Sequence, residues 1–598
     1  MTPQTVKAVV IAIFVFVIGC TKTDQQAGQE ERVIAQPVDL AATGPLQSKD
    51  DSKLNVSPES SAPGRLRESP GKAKREAVLA RQIAPGVSPL RKSAVKGPAL
   101  PAAEGVYRLD SIRMAAGPVD RENYAHFDDN AIRRVLEHPV STFSIDVDTG
   151  AYANVRRMLS AGQLPAQDAV RAEELINYFS YEYPVSADKS VPFSLHKEMA
   201  PTPWNPDTYL LHIGIKGYEL PQEQLPPANL VFLIDVSGSM QSANKLKLLK
   251  TSLKLLTRHL GRDDSVSIVV YAGASGVVLE PTPGTQRGRI IAALDRLTAG
   301  GSTNGAAGIR LAYAMAEQGF IKGGINRVLL ATDGDFNVGT VSIEQLKDLV
   351  EEKRKSGIAL STLGFGAGNY NDQLMEQIAD VGNGNYAYID TLQEAQKVLV
   401  DEMSSTMLTI ARDVKIQIEF NPAVVAEYRL IGYENRSLKR EDFNNDNVDA
   451  GEIGAGHSVT ALYEIALNGG KGRRIEPLRY RSTEQKASHG NEIGYLRLRY
   501  KMPDGNTSRL LEWPLRKSDI TAAGLKTSNA FRFSAAVAAF AQKLRGGVYT
   551  DPFDYTDIMK LARSGRGDDP FGYRGEFLHL VNMAQSLSQT EEYAQRTD

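Results

Sequence analysis

Five oxygen-bearing side chains that could bind a hard metal ion stand next to apolar or glycine-rich runs at three places in this sequence. The first three follow the apolar segment 229–234, the fourth lies in the glycine-rich segment 300–304, and the fifth follows the apolar segment 328–331. They are Asp235, Ser237, Ser239, Thr303 and Asp333. Carboxylate and hydroxyl oxygens are typical ligands of Mg²⁺, Mn²⁺ or Ca²⁺, whereas Zn²⁺ and copper favour His and Cys. The sequence therefore predicts a site for one hard divalent cation.

The elements around these residues predict that the three segments meet at one edge of a sheet. The run 229–234 lies between Pro227 and Gly238, and an apolar run of this length is typical of a strand buried on both faces. Leucines at helical spacing from Leu246 to Leu260 then predict an amphipathic helix. Ligands of open α/β sheets bind in the crevice at the carboxyl ends of the strands. We expect the oxygens to lie there.

The order Asp-x-Ser-x-Ser, Thr, Thr-Asp-Gly resembles the metal-ion-dependent adhesion site of von Willebrand factor type A domains, and all five positions match. The resemblance implies one cation held by these side chains and a partner protein whose Asp or Glu completes the coordination. By itself, Asp-x-Ser-x-Ser is more often a helix N-cap with solvated hydroxyls, so the metal site depends on all three segments occurring in this order. Asp335 is interpreted as a turn residue rather than as a residue that supports the metal ligands without binding the metal.

Composition and net charge exclude some kinds of binding partner and some kinds of metal site. The formal net charge of -2 gives no reason to expect a nucleic acid as partner. The single cysteine, Cys20, excludes an intramolecular disulfide and a thiolate metal site. A hydrophobic content of 42% is enough to build cores, and the length of 598 residues corresponds to roughly four domains.

The N-terminal segment indicates export. The apolar run 8–18 is too short to cross a bilayer and is typical of a signal peptide, the alternative being an uncleaved anchor or a buried apolar segment. Residues 17–20 resemble the lipobox of bacterial lipoproteins, which implies removal of residues 1–19 and lipidation of Cys20. By the same resemblance, Thr21 implies sorting to the outer membrane. We expect a cell-envelope protein that is tethered to the membrane by its lipid chains.

The mature chain divides into four parts. Segment 20–120 lacks apolar periodicity, which predicts a disordered linker. Segment 121–225 predicts a small α+β domain, and 226–400 predicts a doubly wound, mainly parallel α/β sheet with one antiparallel edge strand. Segment 401–598 predicts a β-rich domain, an antiparallel sandwich with helices near 531–544 and 577–588. The phrases Ser-Thr-Phe-Ser-Ile-Asp-Val-Asp-Thr and Asn-Leu-Val-Phe-Leu-Ile-Asp-Val-Ser-Gly-Ser-Met resemble a family of exported bacterial proteins of undefined function in which such segments flank the type A domain.

Other candidate residues favour structural roles. Asp146 and Asp148 are interpreted as capping and turn residues rather than as a second metal site. His457 lies in a glycine-rich turn and is interpreted as structural rather than catalytic. The sequence contains no H-E-x-x-H, P-loop or G-x-S-x-G motif, so we do not expect an enzyme.

The leading hypothesis is a surface-tethered binding module that captures an acidic side chain of another protein through its cation. One alternative is an envelope hydrolase in which the metal activates water. A second alternative is a scaffold in which the metal only stiffens the loops.

Overall fold

The computed structural model describes residues 122–186, 190–221, 224–301, 305–334, 342–368, 370–476, 489–503, 505–521 and 526–597. All of them belong to one of the two compact units of the chain, Tyr107–Asp598. The predicted signal peptide, Cys20, the linker, Thr303 and Asp335 lie outside the described residues and stay predictions. Among the described residues, every helix is too short or too polar to span a lipid bilayer.

The described residues form strands and helices, which are numbered in chain order. The strands are β1 (Arg133–Arg134), β2 (Val140–Ser144), β3 (Phe193–Thr202), β4 (Asn205–Gly217), β5 (Ala228–Asp235), β6 (Ser265–Tyr271), β7 (Ser275–Pro283), β8 (Ile325–Thr332), β9 (Ala359–Phe365), β10 (Tyr386–Ile389), β11 (Thr409–Phe420), β12 (Val425–Ile431), β13 (Gly451–Gly454), β14 (Ser458–Leu467), β15 (Glu492–Lys501) and β16 (Ser508–Arg516). The helices are α1 (Gly150–Ser160), α2 (Ala172–Asn177), α3 (Leu248–His259), α4 (Arg287–Asp295), α5 (Gly305–Gln318), α6 (Ile343–Lys355), α7 (Asp372–Val381), α8 (Leu392–Gln396), α9 (Met403–Met407), α10 (Asn529–Leu544), α11 (Tyr555–Ser564) and α12 (Tyr573–Thr597).

The central sheet has the strand order β10-β9-β8-β5-β6-β7, and every neighbouring pair is parallel except β6 and β7. Its middle strand β5 is buried along its whole length, as its uninterrupted apolar run predicts. Leu230 and Phe232 face a core that includes α3, α4 and α8, whereas Val231 and Leu233 face one that includes α5, α6 and α7. The predicted doubly wound α/β sheet, with one antiparallel edge strand, is confirmed.

Two antiparallel sheets pack face to face beside this central domain. One has the order β1-β12-β14-β4-β3, and the other has the order β13-β11-β15-β16 with β2 also paired to β11. Ile213 and Ile215 of β4 share the core between the sheets with Ile416 and Ile418 of β11. The predicted β-rich sandwich is present. Buried and half-buried residues alternate along much of β15, whereas β14 of the first sheet is buried along almost its whole length.

Segment 121–225 does not build a sheet of its own, which corrects the expectation of a separate small α+β domain. Its strands pair with strands of segment 401–598: β1 with β12, β2 with β11, and β4 with β14. The physical reason is that Phe143 of β2 and Ile213 of β4 share one buried core with strands of the later segment, which include β11. The domain limits chosen from sequence otherwise stay predictions.

A layer of helices covers the outer face of the first sheet. Helices α1, α2, α10, α11 and α12 share one core with Leu210 of β4 and Leu462 of β14. The two helices that the sequence predicts near the C-terminus are α10 and α12, and α11 lies between them in the chain. Helix α10 is buried along most of its length, which explains its run of alanines and phenylalanines.

A buried ionic cluster joins the central domain to the sandwich. The guanidinium of Arg436 lies 3.3 Å from Asp146, 3.4 Å from Asp148, 2.8 Å from Glu376 and 2.7 Å from Asp380. Asp148 also accepts a hydrogen bond from the backbone N–H of Tyr386 (2.8 Å). Burial and the neighbouring carboxylates raise the pKa of Asp148, and the charge of Arg436 opposes this rise.

This cluster corrects the capping and turn interpretation of Asp146 and Asp148. Helix α1, which begins directly after them, has no side-chain cap hydrogen bond at its N-terminus. Both aspartates instead pair with a cation from a distant part of the chain. The positive group beside these residues is the guanidinium of Arg436.

Candidate metal site at the carboxyl edge of the central sheet

Two adjacent parallel strands bring Asp235 and Asp333 to the same edge of the sheet. Ile234 of β5 lies opposite Ala331 of β8, so the strands end side by side. Asp235 is the last residue of β5, and Asp333 directly follows β8. Both aspartates are buried, with exposed fractions of 0% and 2%. The predicted convergence of these two carboxylates at the carboxyl end of the sheet agrees with this geometry.

Short hydrogen bonds fix the carboxylate of Asp235. The backbone N–H of Ser237 donates to Oδ1 (2.8 Å), and the hydroxyl of Thr332 donates to Oδ2 (3.1 Å). The hydroxyl oxygens of Ser237 and Ser239 lie 2.9 Å apart. Because each carboxylate oxygen can accept more than one bond, both oxygens of Asp235 keep lone pairs for a further positive group.

The loop after β5 is bonded to the glycine-rich segment that precedes Thr303. The N–H of Gly238 donates to the carbonyl of Gly301 (3.0 Å), and the N–H of Gly300 donates to the carbonyl of Val236 (2.7 Å). Gly301 is the last described residue before Thr303. The glycine-rich segment is therefore held against the loop after β5 up to Gly301, although Thr303 itself lies outside the described residues.

The electrostatics of the site favour a cation. Burial raises the pKa of Asp235 to about 6, and the charge of Asp333 contributes to the rise, while the hydrogen bonds from Ser237 and Thr332 oppose it. The ionised form of a carboxylate that is buried near a second carboxylate is destabilised by desolvation and by charge repulsion. A positive group nearby offsets both effects.

Lys245 supplies such a positive group. Its ammonium donates to Oδ2 of Asp333 over 2.8 Å, and the side chain of Asp333 is fully buried. The stem of Lys245 packs against Gly366, where any Cβ would collide with the Cε of the lysine. Gly366 also has a φ of +82°, which favours glycine.

Sequence reasoning missed Lys245 as a residue of the site. Lysine in a leucine-rich helical pattern is normally solvated, so its type gave no signal. The residue lies instead in the irregular segment Ala243–Lys247 before α3, with φ −115° and ψ −109°, outside the helical region. This backbone lets its side chain reach the sheet edge rather than the solvent.

The residues present fit a hard divalent cation. Asp235 and Asp333 offer buried carboxylates, and Ser237 and Ser239 offer neighbouring hydroxyls. The cation would replace the ammonium of Lys245 on Asp333. Where the chain is described, no group of three or more His, Cys, Asp or Glu side chains forms a metal cluster, so the candidate site depends on hydroxyl oxygens as well as carboxylates. Such a mixed oxygen set suits Mg²⁺, Mn²⁺ or Ca²⁺.

Three family models match the chain. They are described as von Willebrand factor over residues 118–212, von Willebrand factor type A domain over residues 229–402, and Uncharacterized protein YfbK, C-terminal, over residues 405–587. Type A domains commonly mediate protein–protein interaction and are generally not catalytic.

Relatives with sequence similarity cover different shares of the chain. The uncharacterized protein YfbK of Escherichia coli (strain K12) is 50% identical over 78% of this chain and 81% of its own length. Inter-alpha-trypsin inhibitor heavy chain H3 of Homo sapiens is 24% identical over 40% of this chain and 29% of its own length. Neither relative has the name of an enzyme.

Among solved structures, a von Willebrand factor type A protein from Catenulispora acidiphila is 15% identical, covers 65% of this chain and 89% of its own, and has a TM-score of 0.35. The conserved hypothetical protein BatB from Bacteroides thetaiotaomicron is 21% identical, covers 30% of this chain and 97% of its own, and has a TM-score of 0.26.

Proposed function

Because the chain belongs to the same family as the uncharacterized protein YfbK and carries a von Willebrand factor type A domain, we propose that it binds an acidic protein ligand through a divalent cation. The observation that supports this most is the meeting of buried Asp235 and Asp333 at one sheet edge beside the hydroxyls of Ser237 and Ser239. A buried carboxylate pair of this kind attracts a cation.

The proposed ligands of the cation are Asp235, Ser237, Ser239, Thr303 and Asp333. A bound Mg²⁺, Mn²⁺ or Ca²⁺ would offer an open coordination position to an Asp or Glu of the partner protein. The chain orients its ligands before any cation binds: the Ser237 amide and the Thr332 hydroxyl hold Asp235, and the loop bonds between Gly238 and Gly301 hold the serine segment. Preorganised ligands lose little conformational entropy on binding.

We also propose that the protein is a lipoprotein of the bacterial cell envelope, anchored through Cys20 and sorted to the outer membrane. The short apolar run before the only cysteine of the sequence supports this proposal. Labelling of cells with radioactive palmitate tests it, because a lipidated Cys20 would carry the label and a Cys20→Ser variant would not.

The binding function is tested by capture in the presence and absence of metal. The purified protein, immobilised in Mg²⁺, is expected to retain a specific envelope protein that EDTA releases. Millimolar glutarate, a soluble dicarboxylate, should compete with the captured protein because it presents the same chemical group as an acidic side chain. Equal retention in Mg²⁺ and in EDTA would contradict the proposal.

Lys245→Met is expected to strengthen cation binding by roughly tenfold, which corresponds to about 1.4 kcal/mol of binding free energy. The reason is that the lysine no longer competes with the cation for Asp333. The ammonium lies on one oxygen of the carboxylate that the cation would share, and its positive charge also repels a dication. Titration calorimetry with Mn²⁺ measures the effect.

Lys247→Met is the matched control, since Lys247 is exposed and its loss changes the net charge equally. Its Mn²⁺ affinity should change little. Unchanged or weaker Mn²⁺ binding by the Lys245→Met protein would show that the lysine does not oppose the cation.

A further inference from the structure

A cavity of about 460 Å³ lies at the other end of the central sheet from the candidate metal site. The starts of β8, β9 and β10 line it through Arg327, Ser361 and Asn385, and the segment around α9 lines its other side. Arg327 is near the start of β8 whereas Asp333 follows its end, so about 20 Å of strand, at roughly 3.3 Å per residue, separates the two sites. The cavity is therefore distinct from the metal site.

Arg327 is a buried cation with few partners. Only 4% of it is exposed, and its Nη1 donates to the hydroxyl of Ser361 over 2.6 Å. Within the described ranges, its Nε has no hydrogen-bond partner and none of the ion pairs includes its guanidinium. By contrast, buried Arg171 pairs with Glu174, Asp372 and Glu376. A buried guanidinium without a carboxylate partner is unfavourable unless a ligand supplies the negative charge.

The other basic groups of this cavity are already neutralised. Lys216 lies 2.8 Å from Glu219, and Lys397 lies 2.6 Å from Glu402. Burial lowers the pKa of His457 to about 4, and the charges of both lysines add to this effect, so its imidazole is neutral at pH 7. The unpaired positive charge of the cavity is therefore that of Arg327.

The carboxyl group whose charge acts on Arg327, that of Glu452, does not take the place of a ligand. Glu452 lines a neighbouring cavity together with Arg327, and its charge acts on the guanidinium. The oxygens of Glu452 accept hydrogen bonds from Asn383 (2.6 Å) and Thr409 (3.0 Å), and burial raises its pKa to about 7. Glu452 is thus only partly ionised at neutral pH. Burial accordingly lowers the pKa of Arg327 to about 10 despite this neighbour.

We propose that this cavity is a binding site for a small oxyanion, a carboxylate or a phosphate, and that the guanidinium of Arg327 is its anchor. Arginine binds such groups through charge-assisted N–H bonds, and Arg327 lines the cavity without a place in any ion pair of the described residues. A volume of about 460 Å³ has room for a small organic anion as well as for a free ion. Two sources share this chemistry, inorganic phosphate and an aliphatic carboxylate.

Thermal unfolding in EDTA tests the proposal without involving the candidate metal site. Sodium phosphate and sodium succinate are each compared with sodium chloride at equal ionic strength and pH. The wild-type melting temperature is expected to rise saturably with at least one anion, because a ligand that binds only the folded state stabilises it. Which salt produces the rise identifies the source. No rise with either salt at tens of millimolar would overturn the proposal.

Substitution of Arg327 completes the test. Arg327→Met should abolish the anion-dependent rise while leaving the melting temperature in chloride equal or higher, because an unpaired buried charge is replaced by an apolar chain of similar length. Arg296→Met, at an exposed arginine, is the matched control and should keep the full rise. Arg327→Lys keeps the positive charge but lacks the planar guanidinium, so it should lose most of the anion-dependent rise in melting temperature. This variant provides the test if the methionine variant does not fold. A full rise in the Arg327→Met or Arg327→Lys protein would refute the site.

Discussion

Asp235→Asn is expected to weaken Mg²⁺ and Mn²⁺ binding by on the order of 100-fold or more. Even the loss of a group that is only hydrogen-bonded to a metal ligand lowers metal affinity by roughly 10- to 100-fold, and Asp235 is itself a proposed ligand. Asp235 is fully buried at the end of β5, and both of its oxygens are oriented by donors. Asparagine keeps one acceptor oxygen for the Ser237 amide but removes the negative charge. The cation-dependent capture of a protein ligand should disappear with the metal.

The metal-free protein should lose little stability from this substitution. Burial raises the pKa of Asp235 to about 6, so the ionised carboxylate is held against desolvation and against the charge of Asp333. Removing that charge offsets the weaker hydrogen bonds of the amide. The two effects are separated by melting the protein in EDTA and by Mn²⁺ titration calorimetry.

Asp295→Asn is the control, since Asp295 is an exposed aspartate of the same domain that pairs with Lys254. It should bind Mn²⁺ like the wild type. An Asp235→Asn protein with wild-type Mn²⁺ affinity would remove the basis of the proposed function, whatever its stability.

Arg436→Met is expected to lower the free energy of unfolding by about 3–5 kcal/mol at pH 7, the range found when one partner of a buried ion pair is removed. The guanidinium is shared by Asp146, Asp148, Glu376 and Asp380, and only 12% of its side chain is exposed. Without it, these four acidic side chains lose the cation that they share between the central domain and the sandwich. Urea unfolding of both proteins measures the difference.

The loss should depend on pH in a defined direction. Burial raises the pKa of Glu376 to about 8 even with Arg171 and Arg436 beside it, and loss of Arg436 would raise it further. A raised pKa in the folded state gives stability that is present at low pH and lost as pH rises through that value. The gap between wild type and variant should therefore widen as pH rises from 8 to about 10, because over this range Glu376 ionises in the folded wild type but stays protonated in the folded variant. A gap that is constant over this range would mean that the arginine acts through packing rather than charge.

The sequence alone was sufficient for the parts of the structure that depend on local pattern. The apolar run of β5, the leucine spacing of α3 and the alternation of strands and helices predicted the doubly wound sheet, and the structure confirms it. The positions of Asp235 and Asp333 followed from the same pattern, because neighbouring parallel strands end at one edge. The side-chain period is two residues in a strand and 3.6 in a helix, so both patterns appear within a short stretch of sequence and can be recognised without knowing the fold.

Only the tertiary structure decided which distant segments meet. The pairing of β2 with β11 and of β4 with β14 merged segments that composition had separated into two domains. The tertiary structure also decided the partners of single side chains. Lys245 pairs with Asp333, Arg436 lies close to four carboxyl groups, and Arg327 forms no ion pair among the described residues. Strand pairing and ion pairing join residues far apart in the chain, and their energies depend on burial and on the partner's charge. Neither quantity is a property of a local stretch of sequence.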